Sequence, residues 1–283
     1  MDYLQVLVLA VVQGVAELLP VSSSAHVIMA EKLMGLDPST PAMTLLLVML
    51  HTGTMLAVIV YFWKSWRERY FSSKHDFIHN AKQVVVATAF TGVIGLALMF
   101  FIEKVLMRGT GHAEIEHLFG NLYIISAGLA MAGILILISG SRRAPMGDRP
   151  MRGADSAWIG AVQGICLPFR GFSRSGSTIS TGMLRGLDKR RVEEFSFALA
   201  VVLTPPVIAK EAYRLYKSGG AQSLSGHFMS VLTPSLVGMG FSFLAGLVAL
   251  RWLSRWLEHG RWYLFGIYCL VASAVVLAAS QYL

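Results

Sequence analysis

Six stretches of this chain, residues 42–63, 83–103, 118–139, 195–217, 228–250 and 262–282, are almost wholly apolar. A helix of about 20 residues crosses a hydrocarbon core of about 30 Å. At that depth no water bonds the backbone N–H and C=O groups, so each stretch must satisfy them internally, as helix. Of the 283 residues, 55% are apolar and 14% charged, whereas a soluble domain carries about 25% charged residues. The expected class is an all-α polytopic membrane protein, with one integral membrane domain over residues 1–283. The net charge of +8 then reads as basic cytoplasmic loops, and no nucleic-acid partner is expected. Cys166 and Cys269 lie in apolar surroundings, at a spacing that suits neither zinc nor a disulfide framework. The first residues carry no basic n-region and no small-residue cleavage site, so no cleaved signal peptide is expected.

Two further apolar regions are broken. Residues 3–36 are interrupted at LLPVSSSAH, and residues 156–187 at LPFRGFSRSGS. Neither half of either region is long enough to cross alone, so each reads as a re-entrant helix-loop-helix hairpin. Irregular backbone at membrane depth is tolerated only where protein buries it or a wet cavity hydrates it. With residues 1–41 outside, the inner segments 64–82, 140–155, 185–194 and 251–261 hold sixteen Lys and Arg. The outer segments hold six: Lys32, Lys104, Arg108, Lys210, Arg214 and Lys217. This bias places both termini outside, with the Lys210 to Lys217 group as its weak point. Arg170 and Arg174 belong to the second hairpin.

The pattern also repeats. Val12, Gln13 and Gly14 recur as Val162, Gln163 and Gly164, and TGTMLA at 52–57 lies opposite TPPVIA at 204–209. The halves are roughly 1–139 and 156–283, each one hairpin followed by three spans. Three is odd, so the second half is expected to be inverted. In inverted repeats, broken helices meet near the midplane and build the functional site.

Both breaks carry chemistry. An ionisable side chain at membrane depth costs about 2.5 kcal/mol or more, which makes Glu17 and His26 functional candidates. Gln13 lies one turn before Glu17 on the same helix face. Pro20 ends the first helix, and Ser22, Ser23 and Ser24 follow. One serine can cap the next helix; three and a histidine exceed what a cap needs. The second break, RGFSRSGST at 170–178, gathers Ser173, Arg174, Ser175, Ser177 and Thr178 around two glycines. Hydroxyls, backbone N–H groups and a guanidinium fork suit a phosphate, and a helix beginning near Thr178 adds positive potential. A carboxylate, a hydroxyl nucleophile and an imidazole on one hairpin, with a phosphate cradle on the other, point to phosphoryl transfer. A site inside a membrane protein suits a phosphorylated lipid. His51 sits mid-span, where a histidine bonded to a neighbour is the plainer reading and a supporting role beside the site the alternative. The histidines at 75, 79, 112, 117, 227 and 259 are assigned no chemistry.

These motifs resemble the undecaprenyl-diphosphate phosphatases of the bacitracin-resistance type. That family carries E/Q-x-x-x-E, here Gln13 to Glu17, then P-V-S-S-S/T-x-H, here Pro20 to His26. It also carries P-G-x-S-R-S-x-x-T, here Arg170 to Thr178. Further matches are HTGTMLA from His51, GMLRG at 182–186 and EFSFALA at 194–200. The resemblance spans nearly the whole chain, with the motifs in order. The chain departs where Arg170 replaces the motif proline, and where a proline near Val202 is absent although Pro205 and Pro206 lie close by. Gln13 leaves Glu17 as the only carboxylate of the first motif.

The resemblance implies removal of the terminal phosphate of undecaprenyl diphosphate, giving the monophosphate and inorganic phosphate and recycling the carrier for cell-wall synthesis. It implies a site opening to the outer (periplasmic) face of the bacterial inner membrane, and support from a divalent cation, Mg2+ or Ca2+. Arg174, with Ser22, Ser173, Ser175 and Thr178, is expected to bind phosphate. Ser23 is the candidate nucleophile, with His26 as its base. Glu17 activates the pair or ligates the metal. Gln13, Ser24, His51, Arg170 and Ser177 are supporting candidates. Attack by His26, or by a water activated by Glu17, is the rival chemistry. The rival functions are a flippase for a phosphorylated polyprenyl lipid and a purely structural membrane protein. Membrane lipids are expected partners, and a homodimer is left open.

Overall fold

The computed structural model describes residues 2–37, 40–106, 121–141, 149–217 and 228–281. Arg108, His112, His117, Arg142, Arg143 and His227 lie outside the described residues, as does the start of the 118–139 span. Ten α-helices and no strand occur among the described residues. They are α1 (Tyr3–Leu18), α2 (Ser23–Leu33), α3 (Pro41–Tyr70), α4 (Lys74–Phe101) and α5 (Leu122–Ser141). There follow α6 (Gly153–Cys166), α7 (Arg174–Leu184), α8 (Lys189–Lys217), α9 (Phe228–Glu258) and α10 (Trp262–Ala279). A π segment, Ile102–Leu106, continues α4.

Six segments are long and apolar enough to cross a membrane: Pro41–Tyr70, Lys74–Lys104, Leu122–Ser141, Lys189–Tyr213, Met229–Glu258 and Trp262–Ala279. The chain is a multi-pass membrane protein. Its helices outrun the apolar stretches. The expected inner segment 64–82 is almost all helix, with only residues 71–73 between α3 and α4. Lys, Arg and Glu are good helix formers, so leaving the bilayer does not end a helix. A cap does: Ser73 Oγ accepts from Asp76 N at 3.1 Å and starts α4.

The breaks fall where the sequence placed them. α1 stops at Leu18 because Leu19 is held extended, at φ −76° and ψ 153°, by the proline that follows. α7 begins a full turn earlier than the expected start near Thr178. Ser173 is its N-cap, accepting from Gly176 N at 3.2 Å.

The chain forms two compact units. The first contains Met1–Leu19, Ser23–Trp63 and Ala200–Leu253. Val6, Leu9 and Ala10 of α1, Val27 of α2, and Met43, Leu46 and Leu50 of α3 form its buried apolar cluster. Gly14 lets α1 lie directly on α9: a Cβ there would sit 2.7 Å from both Ala245 Cβ and Ser242 O. Small residues at such crossings allow the backbone contact on which helix association in a bilayer depends.

The second unit contains Pro20–Ser22, Lys64–Leu199 and Ser254–Leu283. Here Gly164 of α6 lies on α4, where a Cβ would meet Thr91 O at 2.9 Å. Gly14 and Gly164, each the last residue of a VQG motif, thus make the same kind of close approach. α5 and α10 pair through reciprocal contacts. Ser126 Oγ donates to Ser273 O at 2.9 Å, and Ser273 Oγ to Ser126 O at 2.8 Å. Gly133 lies against Gly266 in the same reciprocal way. Advancing from 126 to 133 on one helix retreats from 273 to 266 on the other, so the pair is antiparallel.

Candidate active site

In the first unit Glu17 gathers three of the expected residues. Ser23 Oγ donates to Glu17 Oε2 at 2.5 Å, and Gln13 Nε2 donates to the same oxygen at 3.4 Å. The break between α1 and α2 creates this contact. Glu17 is in the last turn of α1 and Ser23 is the first residue of α2, so the chain reversal returns a hydroxyl to the carboxylate. The third residue is His51 of α3, with Nε2 4.0 Å from Glu17 Oε2. Its Nδ1 lies 2.8 Å from Leu47 O. A carbonyl only accepts, so Nδ1 carries the proton and Nε2 is the nitrogen turned to the carboxylate. The Glu17 side chain keeps 18% of its surface accessible, enough to be reached and little enough to be poorly hydrated.

Ser24 and His26 are half-buried on α2. His26 follows Ser23 by three positions and so shares its helix face. The hydroxyl bond that Ser23 donates runs to Glu17. The carboxylate is therefore the group placed to take a proton from Ser23.

The matching VQG motifs at 12–14 and 162–164 have different surroundings. Gln163, the counterpart of Gln13, is fully buried and donates to Thr91 Oγ1 at 3.0 Å as a packing contact within the second unit. Where the first half has Glu17, the second has Leu167.

The second unit holds the loop expected to bind phosphate. Gly171 at φ +99° turns the chain, and a Cβ there would collide with the Ile125 carbonyl of α5. Only glycine fits both demands. Gly128 of α5 is the other half of this close approach, since a Cβ there would lie 2.6 Å from Phe172 N. The loop is thus clamped backbone to backbone just before Ser173. Arg174, half-buried, opens α7, and Ser175, Gly176, Ser177 and Thr178 behind it are all buried. Ser173 Oγ and Ser175 Oγ are 3.5 Å apart. The first turn of α7 thus offers hydroxyls, a guanidinium and the positive end of a helix. Thr178 Oγ1 turns inward, donating to Arg174 O at 2.8 Å and lying 2.6 Å from Ser196 Oγ. Arg170 is half-buried in the same loop.

Pro20, Val21 and Ser22, the tip of the first hairpin, belong to this second unit. A Cβ on Gly176 would lie 3.2 Å from Pro20 Cβ, and Cys269 Sγ donates to Pro20 O at 3.2 Å. Ser22 is buried at φ +67°, a left-handed conformation that a non-glycine residue adopts only under constraint. Strain of this kind concentrates at functional positions.

Two clusters near the ends of the helices were not expected. Asp155, in the first turn of α6, accepts from Arg149 Nη1 at 2.7 Å, Arg149 Nη2 at 3.1 Å, Arg185 Nε at 3.0 Å and Arg152 N at 3.0 Å. Arg149 also donates to Arg185 O at 2.7 Å, so one guanidinium ties the start of α6 to the end of α7. Burial alone raises the Asp155 pKa; the bonds from Arg149, Arg152 and Arg185 outweigh it and hold the value at about 2. The second cluster surrounds Glu194 of α8. Its signal was in plain view, since Arg185 belongs to GMLRG and Glu194 opens EFSFALA.

Among the described residues, no three His, Cys, Asp or Glu side chains converge as a metal-holding group. Glu17, whose side chain keeps 18% of its surface accessible, is the carboxylate of the first break.

A family profile described as Bacitracin resistance protein BacA matches residues 6–275. The protein named Undecaprenyl-diphosphatase 2 of Acinetobacter baylyi is 60% identical over 280 residues, covering 98% of each chain. Undecaprenyl-diphosphatase of Acidothermus cellulolyticus is 31% identical over 285 residues, covering 99% of this chain and 97% of its own. That of Desulfosudis oleivorans is 31% identical over 281 residues, covering 98% of each. With the profile and these relatives spanning both helix breaks and all six long helices, the chain belongs to the bacitracin resistance protein BacA family.

Proposed function

We propose that this chain hydrolyses undecaprenyl diphosphate to undecaprenyl phosphate and inorganic phosphate, recycling the lipid carrier for cell-wall synthesis. The relatives' names supply the substrate. The observation that carries the chemistry is the 2.5 Å bond from Ser23 Oγ to Glu17 Oε2 at the break of the first hairpin. A hydroxyl donating to a carboxylate is an activated nucleophile.

Ser23 Oγ attacks the terminal phosphorus and passes its proton to Glu17 Oε2. The bond from that phosphorus to the bridging oxygen breaks, and undecaprenyl phosphate leaves. Water then attacks the phosphoserine, the bond from phosphorus to Ser23 Oγ breaks, and Glu17 returns its proton to that oxygen, restoring the Ser23 hydroxyl and the carboxylate as inorganic phosphate leaves. Arg174, the first-turn N–H groups of α7 and the hydroxyls of Ser22, Ser173 and Ser175 take the charge on the phosphoryl oxygens. Gln13 orients Glu17 by donating to the same Oε2, and His51 is a supporting residue beside the carboxylate. Ser24, His26, Arg170 and Ser177 support the two loops that carry these groups. Glu17 is the residue that would hold Mg2+ or Ca2+, which would supply charge neutralisation for the diphosphate. The site opens to the periplasmic face of the inner membrane.

The test is phosphate release by detergent-purified protein supplied with the lipid diphosphate, combined with trapping of the enzyme on 32P-labelled substrate. Release with label on Ser23 is the expected result. Label on His26, or no label with Ser23→Ala active, overturns the serine mechanism. A wild type that releases no phosphate favours a carrier of the phosphorylated lipid.

A further inference from the structure

The first turns of α8 carry an unexplained concentration of polar groups. Every residue from Val192 to Phe197 is buried, including Glu193, Glu194 and Ser196. Polar groups inside a membrane protein are retained where they are bonded and used. Glu194 shows the first half of a use. Its carboxylate receives Arg69 Nε at 2.9 Å, Arg190 Nε at 3.3 Å and the Ser65 hydroxyl, while its backbone carbonyl accepts from Trp66 Nε1 at 3.2 Å. These contacts fix the register of α8 against the end of α3.

Two residues further on, at about 100° of turn per residue, Ser196 projects from the opposite side of α8. Its Oγ lies 2.6 Å from Thr178 Oγ1 of α7. Thr178 has one hydroxyl proton, and Arg174 O is placed to accept it at 2.8 Å. With that proton on Arg174 O, Ser196 is the donor that completes the Thr178–Ser196 pair. The result is a directed chain, from the Ser196 hydroxyl to the Thr178 hydroxyl to the Arg174 carbonyl. It ends on the backbone of the residue whose guanidinium is the phosphate ligand.

We propose that Ser196 is a positioning residue for phosphate recognition: anchored through Glu194, it holds the first turn of α7 by way of Thr178 and so aims Arg174. This rests on Arg174 binding phosphate, and the experiment separates the two. Equilibrium binding of labelled inorganic phosphate to the purified full-length protein is measured beside kcat/KM for the lipid diphosphate. Ser196→Ala is expected to weaken phosphate binding and lower kcat/KM each by about tenfold, the effect of one lost hydrogen bond. Ser196→Thr, which keeps the hydroxyl, is expected to restore both. Combining Ser196→Ala with Thr178→Val is expected to be no worse than Thr178→Val alone, because both cut the same chain. A Ser196→Ala protein with a lowered thermal midpoint but unchanged phosphate binding overturns the proposal, as do losses that multiply in the double variant. Unchanged phosphate binding in Arg174→Ala overturns the reading of Arg174 itself, and the proposal with it. Absent turnover in wild type, with phosphate binding intact and sensitive to Ser196→Ala, sinks the phosphatase reading and leaves the positioning role in place.

Discussion

Ser22 separates backbone shape from chemistry. A non-glycine residue in the left-handed region costs about 1–2 kcal/mol, and Ser22 holds φ +67° at the tip of the first hairpin. Glycine adopts that conformation freely, so Ser22→Gly deletes the hydroxyl without disturbing the turn. The expected outcome is a thermal midpoint within a few degrees of wild type and kcat/KM lower by about tenfold, measured on one preparation. Unchanged kcat/KM removes Ser22 from the phosphate ligands. Gly171 is the converse case, since its φ of +99° and the Ile125 carbonyl exclude any Cβ. Gly171→Ala should destabilise by about 2–3 kcal/mol, read as a lowered midpoint in thermal unfolding. At this scale the sequence names candidate side chains, and the structure adds hydrogen-bond partners that spacing does not reveal. Three-residue spacing pairs Ser23 with His26 on one helix face, and the structure adds a bond from Ser23 to Glu17, six residues away across the break. Thr178 read as a phosphate ligand by its place in a motif, and its hydroxyl packs inward on Ser196. Side-chain direction depends on where a helix starts, and that start lay one turn earlier than composition suggested.

At the scale of elements, α6 and α7 form a hairpin closed at its base by Asp155. Asp155→Asn leaves Arg149 and Arg185 facing a neutral amide. Wholly buried pairs lose about 3–5 kcal/mol on such a change. The arginine side chains here keep 33% and 40% of their surface exposed, so a loss of about 2 kcal/mol is expected, screened as partly exposed pairs are. The pH dependence has a fixed sign. The folded pKa of about 2 lies below the ordinary aspartate value of about 3.9. The contribution is therefore complete above about pH 4 and lost as pH falls through about 2. Thermal unfolding of wild type and Asp155→Asn should differ by a constant margin at pH 5–8 and converge toward pH 2. A margin that persists at pH 2 contradicts the clamp. The elements were the most legible level of the sequence. Apolar length announced the six long helices, and Pro20 announced the first break through its effect on Leu19. Helix ends beyond the apolar stretches were not legible, because basic residues that mark the inner face also propagate helix, as α3 does to Tyr70.

At the scale of the molecule, the sequence pattern limited the possibilities to a helical membrane protein with two polar interruptions, and family membership gives that pattern a chemistry. Gly14 and Gly164 each seat a short helix on a long one, while Gln13 bonds to Glu17 and Gln163 to Thr91. Under the proposed mechanism the two helix breaks divide the labour: one activates a nucleophile, the other binds phosphate. If so, Glu17 and Arg174 serve a single reaction and their losses cannot be independent. The direct measurement is steady-state phosphate release from undecaprenyl diphosphate by wild type, Glu17→Gln, Arg174→Ala and the double variant, each purified and shown to be folded. The predicted result is a fall in kcat of at least about a hundredfold in each single variant, with the double variant no lower than the worse single. Single variants that keep more than about a tenth of wild-type turnover, or losses that multiply in the double variant, would contradict the division of labour.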